Sequence, residues 1–155
     1  MSASSTCRRT KSLPRELNPP SGGAAPPAVA ELPGGEVIDL APLARAISTR
    51  VRAEYPDEEE RYGTAGFEWC VHDNQWLLGW AAEDIAIGQG YFARNVRWLA
   101  NILGKRDYPL ERLVRNLEIA ADVVGRESEG RRAMATRLRA GVGAVTARRR
   151  GSITR

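Results

Sequence analysis

The stretch FEWCVHDNQWLLGWAAEDIAI, residues 67–87, holds three of the chain's four tryptophans within twelve positions. Its apolar residues return at three- and four-residue steps, the mark of a helix. On a wheel at about 100° per residue, Phe67, Cys70, Val71, Asn74, Leu77, Leu78, Ala81 and Ile85 share one side. Trp69, Trp76, Trp80 and Ile87 fall close to the opposite side, flanked by His72, Asp73, Glu83 and Asp84. A surface helix has one apolar stripe facing a core, whereas this one has two. Three readings follow. The helix is central and the indoles are core. Or Trp69, Trp76 and Trp80 anchor a docking or dimer surface, since Trp is enriched at the buried centres of interfaces. Or the indoles stack on a flat ligand such as a tetrapyrrole or flavin in a globin-like pocket. His72, the chain's one histidine, is read as a surface or hydrogen-bonded residue in preference to a ligand.

Upstream, DEEERYGTAG (residues 57–66) reads as a polar turn, which starts this second helix near Gly66. Before it, Val37, Leu40, Leu43, Ala44, Ile47, Val51 and Tyr55 form the stripe of a first helix. Asp39 is its candidate N-cap, Pro42 is tolerated in its first turn, Ile38 and Leu43 are spaced as a hydrophobic staple, and Pro56 stops it. Residues 1–36 hold most of the prolines, two Gly-Gly pairs and few large apolar side chains. Such a segment cannot offset its ordering entropy, so it is expected to be disordered.

Downstream, Gly88 and Gly90 break the chain. A third helix carries Phe92, Val96, Leu99 and Leu103 on one stripe, with Gly104 as its stop. Asp107-Tyr108-Pro109 starts a fourth, with Leu110, Leu113, Val114, Leu117, Ala121 and Val124 in register up to Gly125. Over residues 126–155 the stripe thins to Met134, Leu138, Val142 and Val145. Gly141 and Gly143 weaken it by about 1 kcal/mol each relative to Ala, which leaves a marginal helix and a frayed RRRGSITR tail. No segment alternates with period two long enough for a strand. The expected fold is all-α: a compact bundle of about four helices over residues 37–125, between a disordered tail (1–36) and a basic one (126–155).

Composition bounds the function. The 155 residues are 43% hydrophobic and 27% charged, as in a single globular domain. No run of about 18 apolar residues exists to cross a membrane, and no apolar h-region follows Arg8, Arg9 and Lys11. Cys7 and Cys70 make no disulfide framework, which favours a reducing cytoplasm. One histidine and no Cys-x-x-Cys argue against zinc. No glycine pattern cradles phosphate and no serine sits in a nucleophile elbow. Cys70 lacks a base, because His72 points about 200° around the helix. Glu58-Glu59-Glu60 and Glu83-Asp84 read as solvated acidic faces. The chain is therefore not read as an enzyme, and no cofactor is assigned.

Charge is distributed unevenly. Residues 37–125 carry 10 basic and 14 acidic side chains, whereas residues 126–155 carry 9 arginines against Glu127 and Glu129. Arg131, Arg132, Arg148, Arg149 and Arg150 are thus candidate contacts for a polyanion, through weak non-specific binding with counterion release. No helix-turn-helix pattern stands out. The use of 21 arginines against two lysines, with many Ala and Gly, suggests a GC-rich bacterial genome.

Residues 61–124 resemble a helical module of bacterial sensory and regulatory proteins, which in some of them precedes a cobalamin-binding or signalling domain. The resemblance is carried by Asp73-Asn74-Gln75-Trp76-Leu77-Leu78, then Phe92, Val96, Trp98 and Leu99 after a glycine turn, then the helix opened by Pro109. In that module a histidine often follows the aromatic at the Trp76 position, where this chain has Leu77. The corrinoid signature Asp-x-His-x-x-Gly does not occur. The resemblance implies the helical part of such a regulator. The expected role is a small regulatory, protein-interaction module that uses the tryptophan helix for a protein partner or self-association. The alternatives are a ligand-sensing domain and a nucleic-acid accessory protein acting through the arginine tail.

Overall fold

The computed structural model describes residues 17–21 and 23–151, the last four of these by backbone only. It contains β1 (Val29–Glu31), β2 (Val37–Asp39), α1 (Leu40–Glu54), α2 (Asp57–Ile87), α3 (Tyr91–Lys105), α4 (Leu110–Val124) and α5 (Glu129–Gly151). The helices close a ring in the order α1, α2, α3, α5, α4, with α2 and α5 also meeting across its middle. The architecture is an all-helical bundle, as expected, but with five helices and a small antiparallel hairpin.

The first correction concerns residues 57–66. They are helical, broken only at Gly63, whose φ of 62° is open to glycine and costly for other residues. The acids thought to make a turn instead sit at a helix start, where the exposed N–H groups favour negative charge. Glu58 is buried, not solvated: it accepts from the Tyr108 hydroxyl at 3.0 Å and from Arg112 at 3.1 Å. Arg112 also donates to Asp57 at 2.8 Å, which holds that carboxyl below its usual range, and lies 4.6 Å above the Tyr55 ring. Arg52 pairs with Glu59 and donates to the Gly63 carbonyl at 2.7 Å, tying the break to α1.

The second correction concerns the C-terminal segment. Residues 129–151 form a full helix whose Met134, Ala135, Leu138, Ala144 and Val145 are buried core. Gly141 is the contact point and not a weakness. A Cβ there would lie 2.8 Å from Phe92 Cε1 and 3.3 Å from Leu117 Cδ1, so its absence lets α5 close on α3 and α4. Ser128 caps α5 by accepting from the Arg131 N–H at 3.1 Å.

The third correction concerns residues 1–36, of which 1–16 lie outside the described residues. Residues 29–39 are ordered as the hairpin, each strand three residues long and thus too short to show alternation. Leu32 at its turn is only 2% exposed, and a Cβ on Gly130 of α5 would meet it at 2.7 Å. Glu36 locks this corner, accepting from Ser128 at 2.5 Å and from Arg131 at 3.0 Å. A third fixed corner is Asp84, also read as solvated and found buried. It accepts from the Phe92 N–H at 3.0 Å, capping α3, and from Arg137 of α5 at 2.9 Å. Smaller differences remain at helix ends. Asp39 flanks α1 as expected but makes no side-chain cap bond, and α3 runs past Gly104 to Lys105, the chain turning at Asp107 with φ 58°.

Two α5 glycines separate these effects. Gly141→Val should lower the unfolding free energy by about 2 kcal/mol through overpacking against Phe92. Gly143→Ala, with nothing within 4 Å of the added methyl, should raise it by about 0.5–1 kcal/mol. Urea midpoints of the two variants check both signs.

Candidate functional site

The two apolar faces of α2 have different fates. On the first, Val71, Asn74, Leu77, Leu78 and Ala81 are buried. At its centre the Asn74 and Asn116 amides exchange hydrogen bonds at 3.0 and 2.8 Å. Asn74 also donates to the Cys70 carbonyl at 3.0 Å and lies 3.3 Å from the Ser48 hydroxyl. A polar knot therefore joins α1, α2 and α4 inside the core. Burial pushes the Cys70 thiol beside this knot up to about 11, which favours its protonated form. His72 points elsewhere, 3.3 Å from Asp73.

On the second face, Trp69, Trp76 and Trp80 are half-buried, neither core like Leu78 nor free. Trp76 and Trp80 lie 6.0 Å apart between ring centroids. Trp80 meets Trp98 of α3 nearly at right angles, 80° at 6.3 Å between centroids. Trp69 stacks edge-on against His72 at 5.2 Å. These four indoles line a groove of about 400 Å³ between α2 and α3, completed by His72, Asp73, Leu99, Ile102, Leu103 and Arg106. Trp98 is the most open of the four indoles, 57% exposed.

The N-terminal segment straps the same face. Trp69 Nε1 donates to the Asn18 carbonyl at 2.6 Å and Gln75 to the Pro27 carbonyl at 3.4 Å. Pro27 rides on Gly79, where a Cβ would come within 2.5 Å of its ring. Trp76 and Trp80 thus form a ridge, with a second groove of about 390 Å³ on the strap side bounded by Pro27, Ala30, Glu83 and Tyr91. The Tyr91 hydroxyl donates to Glu83 at 3.0 Å at its edge.

One carboxylate sits within the indole stripe. Asp73 follows Trp69 by four residues and precedes Trp76 by three, so all three share a helix face. Burial pushes its carboxyl above the usual range, opposed by the His72 hydrogen bond and by the charge of Arg106.

The structure brings Trp69, Trp76 and Trp80 together and adds Trp98, which sequence reasoning did not single out as a site residue. The signal was present: Trp98 lies off the Phe92–Val96–Leu99 stripe, a large apolar side chain among Arg94, Arg97 and Asn101. Of the arginines expected to meet a polyanion, the structure describes the side chains of Arg131 and Arg132. Arg131 is turned inward onto Glu36 and the Val124 carbonyl, 3.0 and 3.1 Å away. Arg132 is exposed and donates to the Arg126 carbonyl at 3.0 Å. The side chains of Arg148, Arg149 and Arg150 lie outside the described residues. Among the described residues, no group of three or more His, Cys, Asp or Glu could hold a metal ion, and no helix is long and apolar enough to cross a membrane.

The thiol offers a pH test of the core. A folded-state value near 11 against an ordinary 9.0 means its contribution to stability is complete below pH 9 and is lost as pH rises toward 11. Thermal melts should show a fall over that window that is smaller in Cys70→Ala, and an unchanged fall would assign it to other groups. Comparison of the chain with protein-family models, with curated proteins and with solved structures gives no match.

Proposed function

We propose that this protein is a small regulatory, protein-interaction module, cytoplasmic and non-enzymatic, that docks a protein partner or a second copy of itself through the groove between α2 and α3. Trp76, Trp80 and Trp98 are the anchors, and Trp69 closes one end under the strap. The observation that carries this reading is a cluster of four indoles left half-buried or exposed beside a close-packed core. Contiguous apolar surface left open to solvent is a mark of interaction sites, and Trp is among the residues enriched at binding hot spots. The expected supporting core residues Phe92, Leu99 and Leu117 are buried, and Leu99 lines the groove. The resemblance of residues 61–124 to helical modules of sensory regulators belongs to the same proposal.

A second reading is favoured by the groove's size. About 400 Å³ lies within the range of small-molecule sites, and indoles suit a flat ligand. An absorption spectrum of the purified protein with added haem, cobalamin or flavin separates this from docking. The polyanion reading rests on Arg148, Arg149, Arg150 and neighbouring arginines, and heparin retention unaltered by deleting residues 126–155 removes it.

Tryptophan emission tests the main proposal. In dilute protein, acrylamide should quench a substantial fraction, and Trp98→Ala should remove the most accessible part while changing stability by less than about 0.5 kcal/mol. Raising the concentration or adding the partner should protect the indoles, and Trp98→Ala should weaken that association about tenfold or more. A blue-shifted, quencher-protected spectrum in the dilute monomer removes the basis for docking.

A further inference from the structure

Resting on the docking reading, we propose that the groove between α2 and α3 selects a protein segment that inserts a cationic side chain, arginine or lysine, between the indoles and Asp73. Three observations converge on this chemistry. The first is geometric. Trp80 and Trp98 stand as two walls at 80°, with Trp76 beside them at 6.0 Å from Trp80, forming an open aromatic corner. A cation within about 6 Å of a ring face is held by the ring quadrupole, best of all by Trp.

The second is the carboxylate. Asp73 lies in the middle of the tryptophan stripe and lines the groove. Its one polar partner among the described residues is His72, at 3.3 Å. A neutral or anionic guest would strip water from that carboxylate without replacing it, which is unfavourable, whereas a guest cation would pair with it. Arg106 stands on the same groove yet forms no ion pair with Asp73 among the described residues. Its charge already acts on Asp73 across the groove, so a guest cation competes with it.

The third is how the chain uses its own arginines. Arg52, Arg94 and Arg112 lie over the rings of Phe67, Tyr91 and Tyr55 at 5.7, 5.7 and 4.6 Å. Among the described residues none of the four indoles carries a cation in this way. The strongest cation acceptors of the fold are the ones left open at its surface.

The test uses the full chain, 15N-labelled, with the indole N–H signals as reporters. N-acetyl-arginine amide is titrated in parallel with N-acetyl-citrulline amide, which has the same shape and no charge. The arginine probe should move the Trp76, Trp80 and Trp98 signals and bind at least about fivefold more tightly than the citrulline probe. Asp73→Asn should abolish that preference and Arg106→Gln should widen it. Equal response to both probes, a preference that survives Asp73→Asn, or no response at the indoles overturns the proposal. The comparison on the native chain needs no variant, so a folding defect in Asp73→Asn does not rescue it. Equal binding at the indoles would leave docking intact and remove only the charge preference; docking itself falls on the fluorescence result.

Discussion

A 31-residue helix with apolar side chains on two opposed faces cannot lie on a surface, and the rest of this fold is arranged to satisfy that constraint. α1 and α5 cover one flank of α2 with close-packed aliphatic residues. α3 and the N-terminal strap cover the other flank, and they do so incompletely. The reciprocal amide pair of Asn74 and Asn116 sets the register of the covered flank. Sliding α2 against α4 by a turn would break both bonds of this pair and leave the Asn116 amide without its partner, and a buried group left unsatisfied costs about 1–3 kcal/mol. The knot therefore specifies one packing among several that the aliphatic residues alone would tolerate.

The helix ends are fixed by charge. Glu58, Asp84 and Glu36 each sit where two or three elements meet, and each accepts from an arginine plus a hydroxyl or a backbone N–H. Buried or half-buried ion pairs add little net stability, because desolvation offsets much of their attraction. Their effect is directional, since an unpaired partner in any other arrangement would be costly. This explains why an acidic body and an arginine-rich final helix coexist. Arg131, Arg137 and Arg139 of α5 face Glu36, Asp84 and Asp122 of the body. These three arginines are engaged in contacts within the fold.

What remains open is the indole groove. The tryptophan ridge is too wide to be covered by a strap of small residues and prolines on one side and a single helix on the other. The two grooves share Trp76 and Trp80 as a common wall. Rigid aromatic walls on helices whose other faces are buried are well suited to recognition, because little conformational entropy is lost when a guest arrives.

The periodic spacing of apolar residues by itself determined α1, α3, α4 and the later part of α2, and it determined that α2 would be two-faced. Those signals are local: each stripe spans several turns and needs no knowledge of a neighbour. The helix at residues 57–62, the hairpin and the standing of α5 as a core element were invisible to that reasoning. Their stability comes from partners distant in sequence: Arg112 and Tyr108 for Glu58, Gly130 for Leu32, and Phe92 and Leu117 for Gly141. The candidate site divides the same way. Trp69, Trp76 and Trp80 were legible as one stripe because a helix places residues three and four apart together. That Trp98 joins them, that Asp73 faces the groove and that Asn18 and Pro27 are seated on this face was decided only when α3 and the N-terminal segment packed against α2. Side-chain periodicity encodes which face is apolar; which neighbour covers it, and how completely, is a property of the assembled bundle.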